Sequence, residues 1–185
     1  MVCCRPVRAG PLALVLIAAA GAPAGAEPRR RLEAVHLGVA HHEHRVFSIE
    51  SLGTSPTLTL ESGAFVSPEI GLAALVRGQR YDDRGPLLGG SRPRTQGLVG
   101  LRLYFQPPLA PLLVAAGAGI LGTRTRSPLT GERETVLDVF VEVHAGWAVL
   151  RSRCTALELG VDAGYSPEEE YVWAGLTLGV RRSAW

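Results

Sequence analysis

Lysine is absent from this sequence, and beyond the first four residues cysteine occurs once, at Cys154. A single thiol excludes a disulfide framework and a thiolate metal centre for everything after the N-terminal segment. No apolar stretch reaches the ~20 residues that a membrane-crossing helix needs. Low-complexity tracts and linkers are missing as well. Excess charge is the next absence. All 19 basic residues are arginine, two of them (Arg5 and Arg8) near the N-terminus, so 17 arginines face 17 acids in the remainder. A balanced chain offers no electrostatic case for nucleic acid, and none is expected as a partner.

What is present begins with an export signal. Arg5 and Arg8 form a positive segment, Pro11 to Ala20 (PLALVLIAAA) an apolar core, and Ala22 to Ala26 (APAGA) a run of small residues. Ala24 and Ala26 stand in the A-x-A relation that signal peptidase reads. The expectation is a leader over 1–26, cleaved after Ala26, and one domain over 27–185. Cys3 and Cys4 would leave with the leader, and neither sits where a lipid-modified cysteine would.

After Arg31 the apolar residues recur with a period of two, the period of a strand whose side chains alternate between faces. Thr135 to Leu150 is the cleanest case: Leu137, Val139, Val141, Val143, Ala145, Trp147 and Val149 share one face, and Asp138, Phe140, Glu142, His144 and Gly146 the other. A helix would bring Val139, Val143 and Glu142 together; a strand separates them. The same division predicts strands over 57–66, 69–79, 96–105, 155–165 and 171–181. Two weaker ones, richer in Ala and Gly, fall at 32–42 and 112–123. Eight strands result. Short connections at Ser67-Pro68, Gln106 to Pro111 and Arg151 to Cys154 alternate with longer polar stretches around 42–55, 81–94 and 124–134. Bacterial barrels alternate short turns and long loops in this way.

The two faces differ in kind. One is aliphatic, with Phe105, Trp147 and Tyr165 near its ends, as in a lipid-facing band with an aromatic girdle. The other mixes charge with many glycines. Glycine weakens strands and would be a poor choice for a solvent-facing surface, but a narrow lumen has room for little else beside long side chains. The pattern predicts an all-β chain, a closed antiparallel eight-stranded up-and-down barrel. Closure removes strand edges that hydrocarbon cannot hydrogen-bond. A period of two alone is also compatible with a soluble periplasmic lipocalin-like barrel, its apolar face turned inward around a lipophilic ligand.

On this leader, strand number, facial pattern and loop alternation, residues 32–185 resemble the small outer-membrane barrels of the OmpA transmembrane-domain and OmpX type. The resemblance implies insertion by the barrel-assembly machinery, both termini on the periplasmic side, a monomer in the outer membrane, and Trp185 as the terminal aromatic that this machinery reads. Arg181-Arg182-Ser183 departs from the hydrophobic alternation usual at that signal.

Candidate site residues fall into three groups. Glu61, Glu69, Asp138, Glu142, Glu158 and Asp162 with Arg77, Arg102, Arg181 and His144 fall on the polar face, His36 being a further candidate. They read as an ion-pair network that plugs the lumen, a small pore being the alternative. His41, His42 and His44 are weak metal candidates beside Glu43, with His42 and His44 on one strand face; a solvated loop entrance is the plainer reading. Arg80, Arg84, Arg92, Arg94, Arg124, Arg126 and Arg133, assigned to loops, would suit lipopolysaccharide phosphates. Eight-stranded lipid A deacylases pair a His with a Ser two residues on; here His144-Ala145-Gly146 lacks the hydroxyl. No cofactor and no catalysis are expected. The expected role is structural or surface-directed: envelope integrity, or contact with lipopolysaccharide or a host surface.

Overall fold

A computed structural model describes residues 31–46, 49–84, 91–107, 111–126, 131–152, 154–167 and 170–184; the leader and Trp185 lie outside them. Eight strands follow one another: β1 (Arg31–Val46), β2 (Ile49–Phe65), β3 (Ile70–Arg84), β4 (Ser91–Phe105), β5 (Leu112–Arg126), β6 (Arg133–Arg151), β7 (Thr155–Ser166) and β8 (Tyr171–Ala184). Each is antiparallel to its chain neighbours, and β8 pairs with β1 from Tyr171↔His44 to Ala184↔Arg31, which closes the barrel.

The first and last described residues, Arg31 and Ala184, lie at one end, here the terminal end, as do the ends of β2 and β3, of β4 and β5 and of β6 and β7 that follow one another in the chain. Where described, the connections there are tied to the wall. Ser67 Oγ accepts from the backbone of Ile70 at 3.0 Å, and Val66 N–H donates to the Ile70 carbonyl at 2.8 Å. Ser152 N–H donates to the Thr155 carbonyl at 2.7 Å. At the far end, β7 turns into β8 through Pro167 and Glu170, whose φ is 45°.

The far-end connections differ from the sequence expectation. Most of the described residues in the polar stretches around 42–55, 81–94 and 124–134 belong to strands: β1 and β2 pair out to Val46↔Ile49, β3 and β4 to Arg84↔Ser91, β5 and β6 to Arg126↔Arg133. Above the apolar belt both faces of a hairpin can be polar, so facial alternation fades while backbone pairing continues. Between β2 and β3 the ladder is interrupted from Leu52↔Arg84 to Thr57↔Gln79. Hydrocarbon cannot satisfy backbone groups left without a partner, so between β2 and β3 the belt ends at the Thr57↔Gln79 pair.

Alternation within the belt places the aliphatic set outside. Leu101, Val141 and Leu176 are 57, 56 and 64% exposed, whereas Arg102, next to Leu101, is 1% exposed. Among the described residues 28 large apolar side chains are exposed, most of them on this outer face. Each forgoes a good part of the ~1.5–3 kcal/mol that burial gives a large apolar side chain. Left in water the sum would exceed the ~5–15 kcal/mol by which domains are usually stable. The inward-facing lipocalin-like alternative is thereby corrected. Its apolar wall faces out, and the middle is filled with charge.

Candidate functional site: the filled interior

The interior is stacked in three layers. Nearest the terminal end, Leu32, Phe65, Ala73, Tyr104, Leu113 and Ala115 pack together. Toward the far end a second apolar cluster holds Leu75, Leu98, Leu121, Phe140, Tyr171 and Trp173. Between them lies a belt of charge.

Two arginines organise the belt. Arg102 on β4 donates from Nε to Glu142 Oε1 at 2.8 Å and pairs with Glu61 through Nη1. Its Nη2 reaches Asp162 at 3.3 Å. Arg77 on β3 meets Glu142 Oε2 at 3.2 Å and Asp162 at 3.3 Å, and its Nε donates to Thr59 at 2.9 Å. The Tyr104 hydroxyl donates to Glu61. On the opposite wall His144 lies between two carboxylates, Nδ1 at 2.9 Å from Asp162 and Nε2 at 3.0 Å from Glu158. His144 thus bridges two carboxylates, and together with Arg77, Arg102 and Arg181 it faces Glu61, Glu142, Glu158 and Asp162. Arg181 Nε lies 3.0 Å from Glu158 Oε2, and its Nη1 donates to Gln106 at 3.0 Å. His36 packs edge-on against His144 with centroids 5.5 Å apart. Desolvating a charge is expensive unless it is paired and hydrogen-bonded; the belt supplies ion-pair partners from six strands, while Arg77 Nη2, Glu142 Oε2, Glu158 Oε2 and Arg181 Nε make those contacts without a hydrogen bond.

Two predicted members stand elsewhere. Glu69 is a correction: it is exposed in the β2–β3 turn, one residue before β3 begins, because the turn starts where the alternation was still being counted. Asp138 is buried but near the far end of β6, where it accepts from the Ser166 hydroxyl and, at 2.6 Å, from Val139 N–H.

Glycine makes the belt possible. A Cβ at Gly146 would land on the Glu158 carboxylate, one at Gly179 on the His36 ring, and one at Gly164 inside the Trp173 ring.

The histidine cluster separates. His42 points inward and His41 outward, where its Nδ1 lies 3.3 Å from Thr54 Oγ1. Adjacent residues of a strand cannot share an ion. No group of three or more His, Cys, Asp or Glu able to hold a metal occurs among the described residues; the His44 side chain lies outside them. What the sequence reading missed is the partner of His42. Its Nε2 lies 2.6 Å from Ser55 Oγ and its Nδ1 2.7 Å from the Tyr171 hydroxyl, to which Gln79 donates at 2.7 Å. The β1–β2 register, Ala40↔Ser55, was the only signal, and it depends on where the hairpin turns. A hydroxyl and an imidazole at this distance form half of a nucleophile–base arrangement. Here Nδ1 meets a phenol, and Ser55 is 1% exposed, so the set fastens strand ends together.

The arginines assigned to loops prove to lie on strands. Arg80, Arg124 and Arg133 are exposed, and Arg94 is half-buried. The side chains of Arg84, Arg92 and Arg126 lie outside the described residues.

No family model and no curated protein matches the sequence. Solved structures do. Neisserial surface protein A is 17% identical over 81% of this chain and 96% of its own, with a TM-score of 0.54. Ail, the attachment invasion locus protein of Yersinia pestis, is 10% identical over 84% of this chain and 99% of its own, with a TM-score of 0.53. This is the fold of the small outer-membrane β-barrels. At such identities the likeness is one of backbone.

Proposed function

We propose that this chain is an integral outer-membrane barrel with a structural or surface-directed role, and that it is not a catalyst. The observation that carries the reading is the continuous aliphatic belt around an interior filled by a balanced ion-pair network. A barrel of eight strands encloses just enough space for side chains, and here both ends of the charged layer are closed by apolar packing, so a conducting pore is disfavoured. In this reading the leader is removed after Ala26, the barrel-assembly machinery inserts a monomer, the terminal end faces the periplasm and the longer far-end hairpins face outward. Those hairpins would carry the surface contacts, with lipopolysaccharide phosphates drawn to the arginines around the rim.

Fractionation tests the placement. The protein should partition with outer membranes and migrate faster unboiled than boiled in detergent gels. Recovery in the aqueous periplasm with no mobility shift would refute it. Conductance steps in planar bilayers that persist after purification would refute the sealed interior.

A further inference from the structure

The outer wall carries an irregularity that the fold does not require. Across the strands runs one register line, Leu58–Gly78–Gly97–Gly122–Leu137. Its three glycines face outward. A Cβ at Gly78 or Gly97 would meet nothing within 4 Å, and one at Gly122 would make ordinary contact with Leu137 at 3.4 Å. Inward glycines such as Gly146 and Gly164 are demanded by packing; these are not. A glycine that weakens a strand without relieving a clash often marks a place where something else approaches the backbone.

The surroundings say what approaches. One step toward the far end, the line Arg80–Thr95–Arg124–Thr135 places two exposed guanidinium groups above the glycines, on β3 and β5. One step toward the terminal end, Val99 and Ile120, both 56% exposed, continue the aliphatic belt. Leu58 on β2 and Leu137 on β6 end the line, about 19 Å apart along the curved wall at the usual ~4.8 Å strand spacing, which is halfway round the barrel. The result is a gap in the side-chain cover of three adjacent strands, a bay only in that sense, with a cationic upper rim and aliphatic side chains below it. On β3 it lies beside Thr57↔Gln79, the last β2–β3 pair before the ladder is interrupted.

We infer that this bay seats one phosphorylated lipid of the surrounding leaflet, its phosphate between Arg80 and Arg124 and its acyl chains on the glycine floor. The inference rests on the membrane placement proposed above and narrows the lipopolysaccharide contact from seven arginines to two. Arginine suits the role because it holds phosphate by two parallel hydrogen bonds and is readily desolvated at an interface. Side-chain-free strands let chains lie against the wall, where dispersion contacts accumulate.

The test uses the purified full chain in detergent micelles, with retained lipid counted by native mass spectrometry. The probes are bis-phosphorylated lipid A, dephosphorylated lipid A and phosphatidylcholine. The bis-phosphorylated form should be retained preferentially. The Arg80→Gln/Arg124→Gln double variant should lose about tenfold or more of that retention, as expected for charge-assisted bonds. Gly97→Leu should lose a similar factor with its arginines intact and its heat-modifiable mobility unchanged, because its side chain projects into open space. Loss in the arginine variant but not in Gly97→Leu overturns the bay while leaving lipopolysaccharide contact standing. Loss in neither overturns both, and equal retention of dephosphorylated lipid A by the parent chain overturns recognition of phosphate.

Discussion

Arg102 and its chain neighbours Leu101 and Leu103 belong to the same strand and to two different kinds of solid. The leucines stand on an outer wall where each aliphatic group contributes through the area it hides from water, without direction and largely independently of its neighbours. Arg102 is held by Glu61, Glu142 and Asp162, from β2, β6 and β7. One wall tolerates exchange and the other does not. The difference lies in whether a side chain's energy depends on area or on named partners.

The largest effect should come from breaking the inner wall at its centre. Arg102→Met removes one cation and leaves Glu61, Glu142 and Asp162 with Arg77 and His144 alone. Uncompensating a buried charge costs about 3–5 kcal/mol. Reversible urea unfolding of the barrel in lipid vesicles should register that loss, and a change under 1 kcal/mol would show that water reaches the belt. Combining Arg102→Met with Glu142→Gln should recover part of it, since the second change removes one of the stranded charges.

A smaller effect is expected from importing charge to the outer wall. Val141→Arg lies mid-belt, 56% exposed in the bare barrel, and should cost about 2–4 kcal/mol if that surface meets hydrocarbon. Val141→Leu should be silent within about 0.5 kcal/mol. A tolerated Val141→Arg would place this wall in water and remove the basis of the membrane assignment.

The same contrast explains what could be read from the sequence. Outer-wall residues announce themselves because neighbours in the chain differ in hydropathy, and alternation counts strands without any knowledge of pairing. All eight strands and the outward set were legible on that ground, as was the inward direction of Glu61, Arg77, Arg102, Glu142, His144, Glu158, Asp162 and Arg181. Their pairing was not. Arg102 and Glu61 are 41 residues apart, and which acid meets which arginine depends on register and strand tilt, which the hydropathy pattern leaves free. Leu98, Phe140 and Trp173 fell on the inner face by parity. Their gathering into an apolar layer with Leu75 and Leu121 depends on the height of each residue in the barrel. Glu69 was misplaced because turn and strand look alike for one residue. The far-end hairpins were read as loops because the polar pattern outside the belt carries no facial signal.

Glycine gives the finest comparison, since one methyl group can be added to either wall. At Gly164 that methyl would enter the Trp173 ring, which packs against Tyr171 with centroids 5.4 Å apart and Phe140 at 6.1 Å. The methyl would displace the ring from these contacts, so Gly164→Ala should destabilise by about 1–3 kcal/mol, as overpacking does. At Gly97 the methyl would enter open space, and the unfolded chain loses conformational freedom. Gly97→Ala should therefore stabilise the barrel by about 0.5–1 kcal/mol. The two midpoints should move in opposite directions under one unfolding protocol. If Gly97→Ala destabilises as much as Gly164→Ala, the outer glycines serve the backbone itself, through twist or strain, and the open wall beneath Arg80 and Arg124 is a by-product of folding.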